Sequence, residues 1–498
     1  YLAKRGYVLV KSQWDALTLE QCRKECTVAP FSPVDYGEPP AKFPVYRECG
    51  KKLYLPKFYG ISKFGAPDEV RIPDGDDITI EFDGTLRPHQ VEPVEIVMRS
   101  FRETGGGILS VGCGWGKTIA ACYLIAQLKK KTFVLVHKEF LMNQWIERIQ
   151  GVLPGARIGK VQGPKAEIED KDIVIGMVQS VAMKEYPLKF FDSFGFLILD
   201  EAHRIPSKEF SKSFTKIQCP KMLALSATPE RNDGLTKVLK WFIGDMVYEK
   251  KSQIETQSIV RRVMFRSRNR QYQTEIVSAY GQVNRAAMLN QLANFVPRIL
   301  CIAKLLVEYV REEGRQILVL SDRRELLRDI EVRMCESQIS CGYYVGGMKQ
   351  AELEESAGRS VILATYPMAA EGLDIATIDT ILLATPKTQV EQAIGRIRPQ
   401  PGRETDRKQP LILDIVDDFS VFSSQGHQRK RLYRKKGYVI EQATWDADAE
   451  EGAELGEWRE EYRPRGQGGR AQTGMGDGEG GESAAVAPHA GFSLDDLL

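Results

Sequence analysis

The chain of 498 residues is 43% hydrophobic and 27% charged, with a formal net charge of +2. That length leaves room for two to four domains with real apolar cores, and the composition excludes both a disulfide-stapled miniprotein and a polar disordered chain. No run approaches the roughly 20 apolar residues that a membrane helix needs, so no membrane partner is expected. No signal-peptide pattern opens the chain at Tyr1. The nine cysteines are odd in number and scattered through apolar patterns, as in a soluble intracellular protein with reduced thiols. Cys22, Cys26 and Cys49 have no fourth ligand near them, the first histidine being His89, so no zinc site is expected there.

Residues 1–85 read as a small mixed α/β accessory domain. Residues 6–11 have strand character, and Thr18 with Glu20 and Gln21 predicts a capping box opening a helix that runs to about residue 27. A proline-rich passage follows, then strand-like stretches at 52–56 and 78–82. Nothing in this segment names a chemistry; a packing or substrate-orienting role fits it.

Residues 86–250 alternate short apolar runs with amphipathic helical patterns. Strands are predicted at 108–111, 132–136, 173–175, 196–199 and 222–225, and a helix at 140–150. Such alternation predicts a parallel sheet with its active residues at the carboxyl ends of the strands. After the first of these runs stands Val111-Gly112-Cys113-Gly114-Trp115-Gly116-Lys117-Thr118, opening a helical pattern. Strand, glycine-rich turn and helix form the context of a phosphate-binding loop. Gly114 and Gly116 let successive backbone N–H groups face one phosphate, and the helix N-terminus adds its positive end. Lys117 would reach the β- and γ-phosphates, and Thr118 would ligate Mg²⁺. The strict motif has glycine where Val111 stands. Phe196-Leu197-Ile198-Leu199 delivers Asp200-Glu201 to the end of an apolar strand. There Asp200 would hold Mg²⁺ and Glu201 would orient and deprotonate a water; the plainer alternative is an acidic helix start.

A basic, irregular connector is expected over 252–270. A second β/α block then runs to about residue 441, with strands at 317–320, 361–364, 380–383 and 411–415. Two basic clusters, 261–270 and 429–436, are candidates for nucleic-acid backbone contact, solvated charge or an import signal. From 442 to 498 glycine, alanine and acidic residues dominate, which predicts a disordered tail. Its end, 491–498, is either plain tail or a short acidic, apolar docking motif for a protein partner.

At Asp200-Glu201-Ala202-His203 the chain resembles a superfamily 2 helicase of the DEAH-box kind, and the remaining motifs of that family stand in order from about residue 86 to 440. The resemblance implies an α/β fold of two tandem RecA-like parallel-sheet domains, at 86–250 and 251–441, with ATP and Mg²⁺ as cofactors. It accounts for Val111, since this family commonly places a small apolar residue there. It implies that Arg87 and Gln90 belong to the adenine-reading Q-motif region, the Gln90 amide matching the donor and acceptor of the base. His137 and Lys138 resemble motif Ia, and Gln179 with Ser180 sits where a second strand contact falls. Ser226-Ala227-Thr228 resembles motif III, Ser321 and Arg323 motif IV, Thr365 with Asp374 motif V, and Gln392 with Arg396 and Arg398 motif VI. The motif VI arginines are two apart where the family has three, with Pro399 in the expected place, so either could be the arginine finger. The resemblance further implies a monomeric motor held on the phosphates of one strand. Residues 226–236 and 345–347 resemble the XPB-type duplex translocases and the helicases of large DNA viruses, which implies DNA as the track.

Overall fold

Runs of branched and aromatic apolar residues set the strands of two parallel sheets, one in each of two compact units, Tyr1–Gln253 and Ile254–Leu498. The computed structural model describes residues 1–464 apart from 31–40, 113, 188, 205–206, 228–233, 251–257, 279–280, 372–374, 376, 396–407 and 450–453.

In the first unit the sheet order is Lys165–Ala166, Ile158–Gln162, Ile173–Met177, Thr132–Val136, Phe196–Leu199, Lys221–Ser226, Gly106–Val111, Met246–Lys250. Every pair is parallel except the first two strands, which form a hairpin. Thr132–Val136, Phe196–Leu199 and Gly106–Val111 are buried along their whole length, as a sheet covered on both faces requires. Lys221–Ser226 pairs with Phe196–Leu199 on one side and Gly106–Val111 on the other, with Ser226 opposite Ser110. The strand ends that carry the phosphate-loop, Asp-Glu and Ser-Ala motifs therefore lie side by side at one edge.

The N-terminal segment builds its own antiparallel sheet from Leu2–Ala3, Gly6–Val10, Lys52–Leu55 and Arg47–Glu48. It does not have a separate core. Tyr7, Leu53 and Tyr59 share one apolar cluster with Phe133, Leu197, Phe214 and Phe242. The helix Lys57–Phe64 packs on Thr236–Ile243, with Tyr59 and Trp241 rings edge to face at 5.2 Å. Lys57 goes under with it; burial, then the nearby Lys221 charge, push its ammonium down to about 8. Two local expectations change. The first helix is Ala16–Glu25, capped by Asp15, whose carboxylate accepts from the Thr18 amide at 2.7 Å. Residues 78–82 form no strand: they run as extended chain, with Ile78 and Ile80 buried and the Ile78 amide bonded to Lys129 O.

In the second unit the order is Cys341–Tyr344, Val361–Thr365, Ile317–Ser321, Thr380–Leu383, Leu411–Asp417, Ile259–Arg266, Val439–Asp446, Glu454–Leu455, with Arg459–Tyr462 also on Val439–Asp446. The expected connector is thus wrong over Ile259–Arg266, which is a strand parallel to both neighbours. The tail expectation is also wrong for its first part. Val439–Asp446 crosses the boundary drawn at 441, Trp445 is buried, and two antiparallel strands follow. Composition misled because the added strands are polar on one side. The rest of the tail, 465–498, lies outside the described residues. Among the described residues no helix is long and apolar enough to cross a membrane.

If Val439–Asp446 is integral to this sheet, Trp445→Ala should destabilise the second unit by about 3–5 kcal/mol. Denaturant unfolding checks this, and a loss below about 1 kcal/mol would place Trp445 outside the core.

Candidate active site

The phosphate loop joins Gly106–Val111 to the helix Lys117–Leu128. Gly114 and Gly116 adopt φ of +80° and +94°, a region in which side chains are strained. A Cβ at Gly116 would also lie 2.5 Å from Gln90 Nε2. Lys117 Nζ donates to Val111 O at 3.1 Å and Gly112 O at 3.3 Å, folding the ammonium back over the loop. Thr118 begins the helix half-buried, and its hydroxyl makes no hydrogen bond among the described residues.

Gln90 is bonded to the phosphate loop. It is 2% exposed. Its Nε2 donates to Trp115 O at 3.1 Å and Gly116 O at 3.2 Å, and its Oε1 accepts from the Arg87 amide at 2.8 Å. With both amide ends bonded to the chain, Gln90 fastens the phosphate loop. His89 adds a ring contact to Trp115, centroids 5.6 Å apart, and its Nε2 lies 3.3 Å from Trp115 O. Trp115 therefore packs beside the loop.

Asp200 ends its strand 6% exposed. Its Oδ2 accepts from Trp145 Nε1 at 2.8 Å and its Oδ1 from the Glu201 amide at 2.9 Å. Burial, then the neighbouring Glu201 charge, push its carboxyl up to about 6, while the Trp145 bond and the Lys117 ammonium pull the other way. Glu201 has φ +47°, a strained backbone costing on the order of 1–3 kcal/mol that turns its side chain away from the strand line. Glu201 Oε2 stands 3.4 Å from His203 Nδ1, and that nitrogen 3.0 Å from Ser226 Oγ on the adjacent strand. Carboxylate, imidazole and hydroxyl thus join the Asp-Glu motif to motif III.

This site fits a nucleotide and its metal ion. The positive-φ glycines make a turn that backbone N–H groups can line, and Asp200 and Thr118 offer hard oxygen donors of the kind Mg²⁺ takes. Trp145 is the residue the sequence did not reveal. An apolar residue at helical spacing reads as core, and nothing local marks its N–H as bound for a carboxylate.

The expected strand-binding residues divide. Gln179 Nε2 donates to His137 O at 3.1 Å, so the two candidate contact segments meet, and Lys138 stands at the N-cap position of the helix Glu139–Val152 without a side-chain capping bond. Ser180 Oγ accepts from Gly163 N at 3.1 Å, holding the neighbouring hairpin. In the second unit Ser321 is buried, bonded to Arg323 at both N and O. The Arg323 guanidinium is spent on Asn290, Asp322 O and Ala286 O. Thr365 ends its strand with its hydroxyl unbonded among the described residues, and Gln392 lies half-buried on the helix Glu391–Ile394. Each basic cluster is paired in part, while Arg266, Arg268, Arg270, Arg431, Arg434 and Lys435 stay exposed. Arg261 binds Glu441 and Tyr309, Arg262 is buried against Gln442, and Arg429 forms a buried 2.8 Å ion pair with Asp414. Thr228, Asp374, Arg396 and Arg398 lie outside the described residues.

A carboxyl raised from about 3.9 unfolded to about 6 folded contributes stability below pH 4 that is lost as pH rises through 6. Asp200→Asn should therefore raise the melting midpoint at pH 7 without nucleotide, a gain on the order of 1–3 kcal/mol that shrinks towards pH 4. Midpoints equal to wild type at pH 7 would show that the buried charge costs nothing.

Residues 83–231 match the family described as the res subunit of type III restriction enzymes, and residues 298–398 the helicase conserved C-terminal domain. L396 of Acanthamoeba polyphaga mimivirus, provisionally named an ATP-dependent RNA helicase, is 32% identical over 88% of this chain and 86% of its own length. QP509L of African swine fever virus, with the same provisional name, is 28% identical over 72% and 75%. The provisional helicase 161L of Invertebrate iridescent virus 6 is 25% identical over 73% and 84%. With these relatives along most of its length and the two helicase domains in tandem, the chain belongs to the superfamily 2 helicases of large DNA viruses, ATP-hydrolysing enzymes that use ATP and Mg²⁺.

Proposed function

We propose that this helicase is a DNA motor that couples ATP hydrolysis to movement along one strand, in transcription, repair or recombination. Lys117 neutralises the β- and γ-phosphates, Thr118 and Asp200 hold Mg²⁺, and Glu201 takes the proton of the attacking water. Arg87 and Asp374 assist nucleotide binding. Arg396 or Arg398, beside Gln392, supplies the finger, a contribution of roughly a thousandfold or more. His137, Lys138, Gln179 and Thr365 grip phosphates, so binding is independent of base sequence and sensitive to salt. The protein works as a monomer, and residues 491–498 dock a protein partner.

The observation that carries this reading is the chain from Asp200 and Glu201 through His203 to Ser226. It ties the hydrolytic carboxylates to motif III on the next strand, so a change at the nucleotide has a bonded route to the rest of the sheet. A second reading has a specific support of its own: two of the relatives are named for RNA. On that reading the same motor works on transcripts.

ATPase rate measured alone and with single-stranded DNA, duplex DNA or RNA separates the two. DNA should stimulate most, and Lys117→Ala should lower the stimulated rate by about a hundredfold or more. Greater stimulation by RNA would move the function to transcripts; rates indifferent to every nucleic acid would sink the motor. A strand-displacement assay beside a translocation assay then distinguishes unwinding from displacement of bound protein or transcript.

A further inference from the structure

Asp200 is held from two independent directions. One oxygen takes the amide of Glu201, the next residue in the chain; the other takes the indole N–H of Trp145, which belongs to a different element, the helix Glu139–Val152. Trp145 is 1% exposed, packed with Leu141, Met142 and Ile149 against the sheet. A buried indole needs a partner for its N–H, and a bond to a carboxylate is stronger than one to a neutral acceptor and restricts the direction of the remaining lone pairs. The same helix follows Lys138, which stands at its N-cap position directly after His137, the residue that Gln179 also touches. From Lys138 to Trp145 is two helical turns, about 10 Å at 1.5 Å per residue. One rigid helix therefore spans from the motif Ia segment to the carboxylate at the end of the Phe196–Leu199 strand.

We propose that Trp145 is a positioning residue that sets the orientation of the Asp200 carboxylate, and that its helix carries the state of the motif Ia segment to that carboxylate. The inference rests on the reading of Asp200 as the Mg²⁺ holder. Trp145 touches no substrate; it acts by fixing where Asp200 points. Strand phosphates seated at His137 and Lys138 bias the helix, and the Trp145 bond passes the bias to the group that organises hydrolysis. This assigns to one side chain part of the stimulation of ATP hydrolysis by nucleic acid.

Trp145→Phe keeps the ring and most of the volume but lacks the N–H. Three readouts are compared with wild type: ADP binding with Mg²⁺ and in EDTA, the Mg²⁺ concentration giving half-maximal ATPase, and the ratio of DNA-stimulated to unstimulated rate. The Mg²⁺ requirement should rise about tenfold, in the range for losing a partner of a metal ligand. The stimulation ratio should fall several-fold, while ADP binding in EDTA stays at the wild-type level. Trp145→His, which retains a ring N–H, should recover part of the Mg²⁺ loss and serves where the phenylalanine variant does not fold. An unchanged Mg²⁺ requirement in Trp145→Phe, or ADP binding lost equally with and without Mg²⁺, overturns the positioning role. A raised Mg²⁺ requirement with an unchanged stimulation ratio overturns the coupling through the helix. Wild-type protein whose ADP affinity ignores Mg²⁺ overturns the reading of Asp200 itself, which is a separate failure.

Discussion

A carboxylate kept at the end of a wholly buried strand is the constraint on which the first unit depends. Asp200 sits where water is scarce, beside a second carboxylate, and both conditions oppose its charge. The structure answers with two hydrogen bonds, a nearby ammonium and a strained backbone at Glu201 that turns the second carboxylate aside. Each of these needs a neighbour held in place. The parallel sheet provides that, because strands buried on both faces cannot slide without exposing apolar side chains. Strain and buried charge persist where the packing around them holds them in place.

The phosphate loop depends on the same economy of fixed partners. Glycines make the turn possible but cannot hold it, since they contribute no side chains. Gln90 does the holding, bonding two loop carbonyls from the first turn of the helix Pro88–Glu103 while accepting the amide of Arg87, the residue at that helix's N-cap. A loop so anchored has its backbone ordered in advance.

Two ion pairs of the second unit are turned wholly inward. Arg298 and Asp417 form an ion pair at 2.7 Å with both side chains fully buried, and Arg429 with Asp414 forms another. Tyr272 and Tyr433 add hydroxyl bonds to the two carboxylates. Breaking one member of such a pair strands its partner in a low-dielectric core, so these arginines are committed to the sheet. Basic residues of the 261–270 and 429–436 runs that stay exposed, such as Arg431, sit beside committed ones. A run of arginines in a sequence does not say which face each will occupy.

Local chemistry by itself determined much of this protein. Apolar runs before Gly114 and Asp200 locate strands and the turns at their ends, because a turn of positive φ and a carboxylate after a buried strand each demand particular residue types at fixed spacing. The motif order was legible for the same reason. The tertiary structure decided what spacing cannot encode. It bonded Gln90 to the loop, folded residues 442–446 into the sheet, merged the N-terminal segment with the first core, and brought Trp145 to Asp200. Each of these is a contact between residues far apart in the chain, chosen by which surfaces could be buried together and which polar atoms then needed partners. Those choices depend on the whole packed unit, and no window of sequence contains it.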